Sequence, residues 1–218
     1  VPYTVAKMLA ESDKKDLGCH TGTISDAFLE LYKAGKLTNA HKELDTGLSA
    51  WNLAMGSQEL YDWLDAEPQL FHPGDLDYIH SVERISKLSN VISINGGVQL
   101  DLMGQENAES TGTRQLSGVG GQMDFLEGAY RSKGGKGFIC INSSRVTKDG
   151  ERKSNILATI PGGSTISAPR TMIQYVATEY GIASLSGKTL RERAEAMASI
   201  AHPDFREELM KYARENFK

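Results

Sequence analysis

Apolar positions recur every three or four residues in several stretches of the chain, and this spacing predicts helices. The predicted helices cover residues 2–11, 25–34, 57–65, 81–88, 122–131, 189–200 and 204–216. Short apolar runs bounded by Gly, Asn or Pro lie between them and are typical of buried strands. The predicted strands are LGCH, QLFH, NVISI, VQLDLMG, GFICIN, SNILATI and QYVAT. Strands that alternate with helices predict an α/β fold with a largely parallel sheet and flanking helices.

The last part of the chain carries its own helix boundaries. Thr189 can cap a helix in which Glu192 follows three residues later, and Pro203 can open another helix in its first turn. We therefore predict a C-terminal helical pair that packs against the sheet.

The segment DLGCHTGTISD, residues 16–26, reads as the end of a short strand that runs into a helix. A turn of this kind is a good place for a reacting side chain, yet its middle is occupied by Gly22. The pattern therefore raises the question of why the position carries no side chain.

Composition narrows the class of protein. Hydrophobic residues make up 39% of the chain and charged residues 24%, as in ordinary soluble globular proteins. The 24 Lys and Arg are set against 28 Asp and Glu without a long block of either sign, which argues against nucleic-acid and membrane partners. Cys19 and Cys140 lack metal-ligand spacing and fit a reducing cytoplasm. No apolar run is long enough for a membrane helix.

Glycine clusters between residues 112 and 138, where Gly118, Val119, Gly120 and Gly121 directly precede a predicted helix. Glycine lets the backbone approach a ligand, and consecutive N–H groups at a helix N-terminus stabilise an anion or a developing oxyanion. A thioester carbonyl would suit such a site. The alternative is that these glycines only turn the chain between strand and helix. The spacing matches neither a GxGxxG dinucleotide fingerprint nor a P-loop.

Five segments, taken together, resemble the acetyl-CoA hydrolase/transferase family, most closely its 4-hydroxybutyrate and butyryl-CoA:acetate CoA-transferases. The segments are DKKDLGCHTG, VISINGGVQLDLMGQ, SGVGGQMDFLEGAYRSKGGK, ATEYGIASLSGKTLRERA and AHPDFREEL. They occur in order from Val1 to about Phe217. The resemblance implies half of a class I CoA-transferase: residues 1–218 would be a C-terminal domain that is incomplete at its N-terminus and lacks its partner half.

The resemblance also implies a reaction, in which coenzyme A is a substrate. Such enzymes move CoA between a short-chain acyl-CoA of the 4-hydroxybutyryl, butyryl or acetyl type and an acid such as acetate. A glutamate in an HTE segment attacks the thioester, giving an acyl-glutamyl anhydride and then a glutamyl-CoA thioester. Here the segment is His20-Thr21-Gly22, so Gly22 occupies the position of the nucleophile. We therefore expect this chain alone to be inactive.

Two histidines are the other candidates for catalytic roles. His20 could act as a base on water, or it could be a structural histidine satisfied by hydrogen bonds at a strand end. His80, in DYIHSVERI, matches an asparagine that holds the catalytic carboxylate in the family. The alternative for His80 is a position on a solvated loop.

The resemblance further implies contacts with CoA. The residues expected to border the pantetheine and the thioester are Asn95, Gly96, Gly97, Gly118, Val119, Gly120 and Gly121. Arg145 lies nearest to a lysine of the family and could meet the CoA phosphates. Lys133 and Lys136 could do the same or simply lie on the solvated surface. No metal is expected.

Three functions stay open at this point. The chain could be a CoA-transferase, a CoA-binding subunit that has lost the chemistry, or a hydrolase that uses water at the oxyanion loop. The expected ligands are an acyl-CoA and a short-chain carboxylate, and the expected partner is the missing N-terminal half or a second chain. A sheet edge left exposed by the missing half would also favour a homo-oligomer.

Overall fold

Most strands pair in parallel and alternate with helices, as the hydrophobic pattern predicts. The computed structural model describes residues 2–217. Its helices are α1 (Pro2–Glu11), α2 (Asp26–Lys33), α3 (Gln58–Ala66), α4 (Leu76–Ile79), α5 (Val82–Lys87), α6 (Gln122–Arg131), α7 (Leu190–Ser199) and α8 (Pro203–Asn216), with a 3-10 turn at Pro68–Leu70. None of the helices within residues 2–217 has both the length and the hydropathy needed to cross a bilayer.

The strands are shorter than the helices, and several have only two or three residues. They are β1 (His20–Ile24), β2 (Ser49–Ala54), β3 (Phe71–Pro73), β4 (Ile92–Gly96), β5 (Gln99–Asp101), β6 (Glu106–Asn107), β7 (Ser110–Thr111), β8 (Arg114–Gln115), β9 (Lys136–Cys140), β10 (Ser144–Val146), β11 (Arg152–Ser154), β12 (Ile156–Leu157), β13 (Tyr175–Thr178) and β14 (Gly181–Ser184).

The chain divides into two units, each with its own sheet and hydrophobic core. The first unit contains the residues up to Val91 together with Glu127–Gly135, and the second contains Ile92–Leu126 and the residues from Lys136 onward. In the first unit, β1, β2 and β3 form a parallel sheet in that order. Its core includes Trp63 of α3, whose ring centroid lies 4.8 Å from that of Phe71 on β3.

The position of β1 corrects the prediction from the sequence. The predicted strand, LGCH, stops before Gly22, whereas β1 runs through Gly22 to Ile24. The reason is β2, which the hydrophobic pattern did not predict and which pairs with β1 from His20 to Ile24. Helix α2 begins after Ser25, so Gly22 lies inside a strand and the turn into the helix comes after it.

In the second unit, the main sheet has the order β14, β13, β9, β4. Strands β4, β9 and β13 are parallel, and only the edge strand β14 pairs antiparallel to its neighbour β13. The largest fully buried side chains of its core are Leu100, Leu102, Leu126, Ile139, Ile156, Ile173, Leu185 and Met197. The small sheet β12-β5-β6 contributes Leu100 and Ile156 to this core.

The predicted C-terminal helical pair is confirmed with its boundary residues. Thr189 caps α7, and its side chain and that of Glu192 exchange hydrogen bonds with each other's backbone N–H groups, forming a capping box. Pro203 is the first residue of α8. Helix α7 packs against β14, so the pair covers part of the main sheet.

Arg193 of α7 is buried and fixes that helix to the surrounding loops. Its guanidinium donates hydrogen bonds to the carbonyl oxygens of Met103, Leu185 and Arg170 at 2.7 to 2.8 Å. A Cβ atom on Gly104 would lie 2.7 Å from the Arg193 Nη2 atom, and Gly104 has a φ of +82°. Glycine is therefore required at 104 both by the backbone and by the buried guanidinium.

Candidate functional site

The carboxyl ends of three parallel strands meet at one edge of the main sheet of the second unit. Gly96 ends β4 and pairs with Cys140, which ends β9, and Cys140 in turn pairs with Ala177 near the end of β13. Asn95, Gly96 and Gly97 therefore lie at the edge where open α/β sheets bind their ligands. The Asn95 side chain donates a hydrogen bond to Ser93 Oγ at 2.7 Å, which holds it along the strand.

The glycine loop, Gly118–Gly121, directly precedes α6. Gly118, Val119 and Gly120 are exposed, and a Cβ atom at Gly118 or Gly120 would meet no heavy atom within 4 Å. Gly120 has a φ of +57°, in the left-handed region that a β-branched residue strongly disfavours. The main chain of this loop is consequently open to a ligand, and Gly120 is required for its conformation.

Glu106 lies between Gly97 and the start of α6, a contact that the sequence did not predict. Its side chain is 0% exposed. The amide nitrogen of Gln122 donates a hydrogen bond to Glu106 Oε2, while a Cβ atom on Gly97 would lie 2.6 Å from Glu106 Oε1. Gly97 and Gln122 thus both contact the carboxyl group of Glu106.

The carboxyl group of Glu106 is strongly perturbed. Burial raises its pKa to about 8, against the opposing effect of the hydrogen bond from Gln122, and the nearby Glu109 raises it further. Its Oε1 atom is buried and has no hydrogen-bond partner among residues 2–217. A carboxylate in such a place would be an uncompensated buried charge, so the neutral acid is favoured at pH 7.

Glu109 holds the other end of the glycine loop. Its carbonyl oxygen accepts hydrogen bonds from the N–H groups of Leu116 at 2.6 Å and Ser117 at 3.3 Å. Its carboxylate accepts a hydrogen bond from Ser167 Oγ at 2.6 Å. The short segment from Glu106 to Glu109 therefore contacts the chain on both sides of Gly118–Gly121.

Another acidic residue ties together the ends of β9 and β13. The N–H and Oγ of Ser143 donate to the Glu179 carboxylate at 2.9 and 2.6 Å. Burial alone would raise the pKa of Glu179, but these hydrogen bonds outweigh it and lower the pKa below its ordinary value. Glu179 belongs to the TEYG segment, and the structure gives this motif a role in fixing the strand ends.

The predicted basic residues occupy different places. Arg145 is exposed on β10, where its Nη1 atom donates to Asn155 Oδ1 at 2.6 Å. Lys136 begins β9 and pairs with Ile92, which puts it at the amino ends of the strands, roughly 13 Å along the strand from the level of Gly96. Lys133 is exposed in the first unit.

In the first unit, His20 begins β1 and is held by a backbone hydrogen bond. Its Nε2 atom lies 2.8 Å from the carbonyl oxygen of Ile79, so Nε2 carries the proton and donates it. Burial lowers the pKa of His20, which makes the neutral imidazole the form present at pH 7. Cys19 is no substitute nucleophile, because burial raises the pKa of its thiol to about 12.

His80 lies in the bend between α4 and α5. It is half-buried and directly follows α4 as its C-cap, and its N–H donates to the carbonyl oxygen of Leu76 at 2.9 Å. The cause is local, because the side chain of Asp75 accepts a hydrogen bond from the Tyr78 N–H and caps this short helix.

A cluster around Asp45 lies beside α4 and was not predicted. Asp45 Oδ1 accepts a hydrogen bond from the Tyr78 hydroxyl at 2.8 Å and lies 2.7 Å from His72 Nδ1. Burial alone would raise the pKa of Asp45, but these hydrogen bonds lower it overall. The guanidinium of Arg84 lies 3.8 Å from the centre of the Tyr78 ring. The cluster links α4 and α5 to β3.

The parallel sheet with a glycine loop beside its carboxyl edge defines an α/β domain of the CoA-transferase type. The structure of 4-hydroxybutyrate CoA-transferase from Porphyromonas gingivalis matches it with a TM-score of 0.81 at 36% identity, over 99% of this chain and 49% of that chain. RipA from Yersinia pestis matches with a TM-score of 0.88 at 38% identity, over 98% of this chain and 47% of that chain.

Sequence comparison gives the family. Residues 56–213 match the Acetyl-CoA hydrolase/transferase C-terminal domain, and the chain belongs to this family. It is 45% identical to the butyryl-CoA:acetate CoA-transferase of Anaerostipes caccae over 98% of this chain and 48% of that protein. The chain thus spans about half the length of the curated relatives it matches. The family resemblance and the α/β fold predicted from the sequence are confirmed.

Proposed function

We propose that the chain is the C-terminal, CoA-binding half of a short-chain acyl-CoA:carboxylate CoA-transferase. By itself it binds an acyl-CoA without forming the covalent glutamyl intermediate. The observation that carries this proposal is the exposed Gly118–Gly121 loop beside the carboxyl edge of the sheet, in a member of the acetyl-CoA hydrolase/transferase family. Butyryl-, 4-hydroxybutyryl- and acetyl-CoA are the proposed donors and acetate is a proposed acceptor.

The proposed roles of the residues follow their positions. The open main chain of the glycine loop stabilises the thioester oxygen, and Asn95, Gly96 and Gly97 border the pantetheine. Arg145, exposed and oriented by Asn155, meets a CoA phosphate. Gly22 takes the position of the nucleophile without supplying a carboxylate, and the proposal needs no metal.

The proposal also includes a partner. Because the chain spans about half of its relatives, the other half of the enzyme is expected on a second polypeptide or elsewhere on a longer chain. Exposed apolar side chains such as Met55 and Ile182, at 62% and 63%, are consistent with further association, including a homo-oligomer.

A water-using hydrolase is the second candidate, and the glycine at position 22 favours it. An oxyanion loop can stabilise the attack of water on a thioester without a nucleophilic side chain from the protein. His20 is the proposed base in that case. Its Nε2 atom donates to the Ile79 carbonyl, so only Nδ1 can accept a proton from water.

Replacement of Gly120 by Val should weaken acyl-CoA binding by about tenfold or more, because a β-branched residue disfavours a φ of +57° and the loop must rearrange. Calorimetric titration with butyryl-CoA measures the effect. Gly150→Val is the matched control, since Gly150 also has a positive φ, of +84°, and open space around its Cβ position. Equal affinities of the two variants would remove the loop from the site.

Incubation of the chain alone with butyryl-CoA and radiolabelled acetate should produce neither labelled acetyl-CoA nor loss of thioester. The reason is the absence of a carboxylate at Gly22, which leaves the double displacement without its acceptor. Chromatography of the CoA species and a thiol assay separate the outcomes. Labelled acetyl-CoA would reveal a transferase with another nucleophile, and loss of thioester would establish the hydrolase instead.

A further inference from the structure

Glu106 and Glu109 together anchor both ends of the glycine loop. The side chain of Glu106 accepts a hydrogen bond from Gln122, the residue that follows Gly121 and begins α6. The backbone of Glu109 accepts hydrogen bonds from Leu116 and Ser117, the residues that precede Gly118. A change in either acidic residue is therefore transmitted directly to an end of the loop.

We propose that Glu106 is a positioning residue that keeps the Gly118–Gly121 loop in its ligand-binding arrangement only while its carboxyl group is protonated. This inference rests on the proposed function of the loop as the binding site for an acyl-CoA. If it is correct, protonation of Glu106 determines how tightly the loop binds an acyl-CoA.

The surroundings of the carboxyl group favour the neutral acid. Its side chain is fully buried, and its Oε1 atom has no hydrogen-bond partner in the part of the chain that the structure describes. The missing Cβ atom of Gly97 leaves just enough room for that oxygen. Ionisation would place a negative charge there, and within the described part of the chain the hydrogen bond from Gln122 is the one effect that lowers the pKa of Glu106. A buried charge without a cation carries a large desolvation cost.

One titratable group on the elements around Glu106 strengthens this effect. Glu109, on the same segment, raises the pKa of Glu106 further. Strand β5, which pairs with β6, carries the buried Asp101, whose carboxylate accepts hydrogen bonds from the backbone and side chain of Gln105. Helix α6 carries Asp124 in its first turn. Burial and the charge of Glu109 both oppose ionisation, so an ionised Glu106 is expected to leave its place and release Gln122.

The pKa of about 8 sets the range in which the loop should respond. Below it, Glu106 is neutral and accepts from Gln122, and the loop is held at both ends. Above it, the carboxylate moves toward water and the loop is held only by Glu109. Acyl-CoA affinity should consequently fall as the pH rises through about 8.

A fluorophore on the loop tests the inference without any ligand. Val119 is 64% exposed, so a Val119→Cys variant can be labelled there, in a Cys140→Ala background in which the other thiol, Cys19, is buried. Fluorescence anisotropy should fall between pH 6 and pH 9.5 with a midpoint near 8. Glu106→Gln, a neutral residue of the same shape, should remove this transition, whereas replacement of the exposed Glu207 by Gln should leave it intact.

Calorimetric titration with butyryl-CoA at pH 6.5 and pH 9.5 separates the inference from the proposed function. We expect at least a tenfold weaker affinity at the higher pH, and little pH dependence in Glu106→Gln. A loop transition without butyryl-CoA binding at either pH would support the positioning role and overturn the proposed function. A labelled parent protein without a transition would overturn the inference, whether or not Glu106→Gln folds.

Discussion

Replacement of Gly22 by Glu should give the protein a covalent CoA adduct that the unmodified chain does not form. The new carboxylate would attack the thioester carbonyl of butyryl-CoA and form an acyl-glutamyl anhydride with release of the CoA thiolate. The thiolate would then attack the glutamyl carbonyl, giving the glutamyl-CoA thioester and free butyrate. The adduct should rise from undetectable to a measurable fraction of the protein.

Intact-protein mass spectrometry measures this change, before and after borohydride, which reduces a glutamyl thioester to an alcohol and marks the residue. The matched control is Thr23→Glu, because Thr23 is the exposed neighbour on the same strand and points to the opposite face. The measurement should be repeated with the other half of a related enzyme supplied, since the chain spans only about half of its relatives.

The gain from Gly22→Glu is not expected to be complete. The resemblance matches His80 to the asparagine that orients the carboxylate in the family, and loss of a positioning contact can cost about a hundredfold in rate. The double variant with His80→Asn should therefore form the adduct faster than the single variant. An adduct on the unmodified chain, at any residue, would contradict the whole account, because it would reveal a nucleophile that is not at position 22.

Helix ends were predicted well because their causes are local. The capping box of Thr189 and Glu192, and Pro203 at the start of α8, depend on residues within one turn of the helix boundary. Strands depend on partners far along the chain. Strand β2 has no clear alternation of apolar and polar residues, yet its pairing with β1 is what extends β1 through Gly22 to Ile24.

The same contrast between local and long-range causes applies to the candidate site. The glycine loop was predicted because its glycines act through their own backbone conformation, as the φ of Gly120 illustrates. Glu106 lies in the polar run GQENAES, which reads as a loop on the surface. Its burial results from the contact with Gln122 and from the space left by Gly97, neither of which can be inferred from spacing along the chain.

The sequence shows that residue 22 is a glycine, but it does not predict the contacts that surround this residue. The resemblance assigns the nucleophile's position to Gly22 whatever the surrounding structure is. The hydrogen bond of His20 to the Ile79 carbonyl depends on how α4 packs beside β1, and α4 is not among the helices predicted from the sequence. Resemblance thus proposes the positions of the site, while tertiary packing determines which atoms of those residues are available.

The pH dependence of stability should expose Glu106 independently of any ligand. Its pKa is raised from 4.5 to about 8 in the folded protein. Between those values the folded protein keeps a proton that the unfolded chain has lost, so the free energy of unfolding falls as the pH rises. The slope is about 1.4 kcal/mol per pH unit and the whole loss roughly 5 kcal/mol, with the stabilisation intact below pH 4.5 and gone above pH 8.

Urea unfolding of the parent protein and of Glu106→Gln is measured at each pH from 5 to 9. The difference between their free energies of unfolding gives the contribution of the Glu106 carboxyl group. His20, whose lowered pKa makes stability rise with pH up to its ordinary value of 6.5, contributes equally to both proteins and cancels. Glu106→Gln should become steadily more stable relative to the parent up to about pH 8 and keep that advantage above it. Glu207→Gln, at an exposed position, should show a constant difference from the parent. A constant difference for Glu106→Gln as well would mean that the buried carboxyl group ionises normally, and the proton-dependent anchoring of the glycine loop would have to be abandoned.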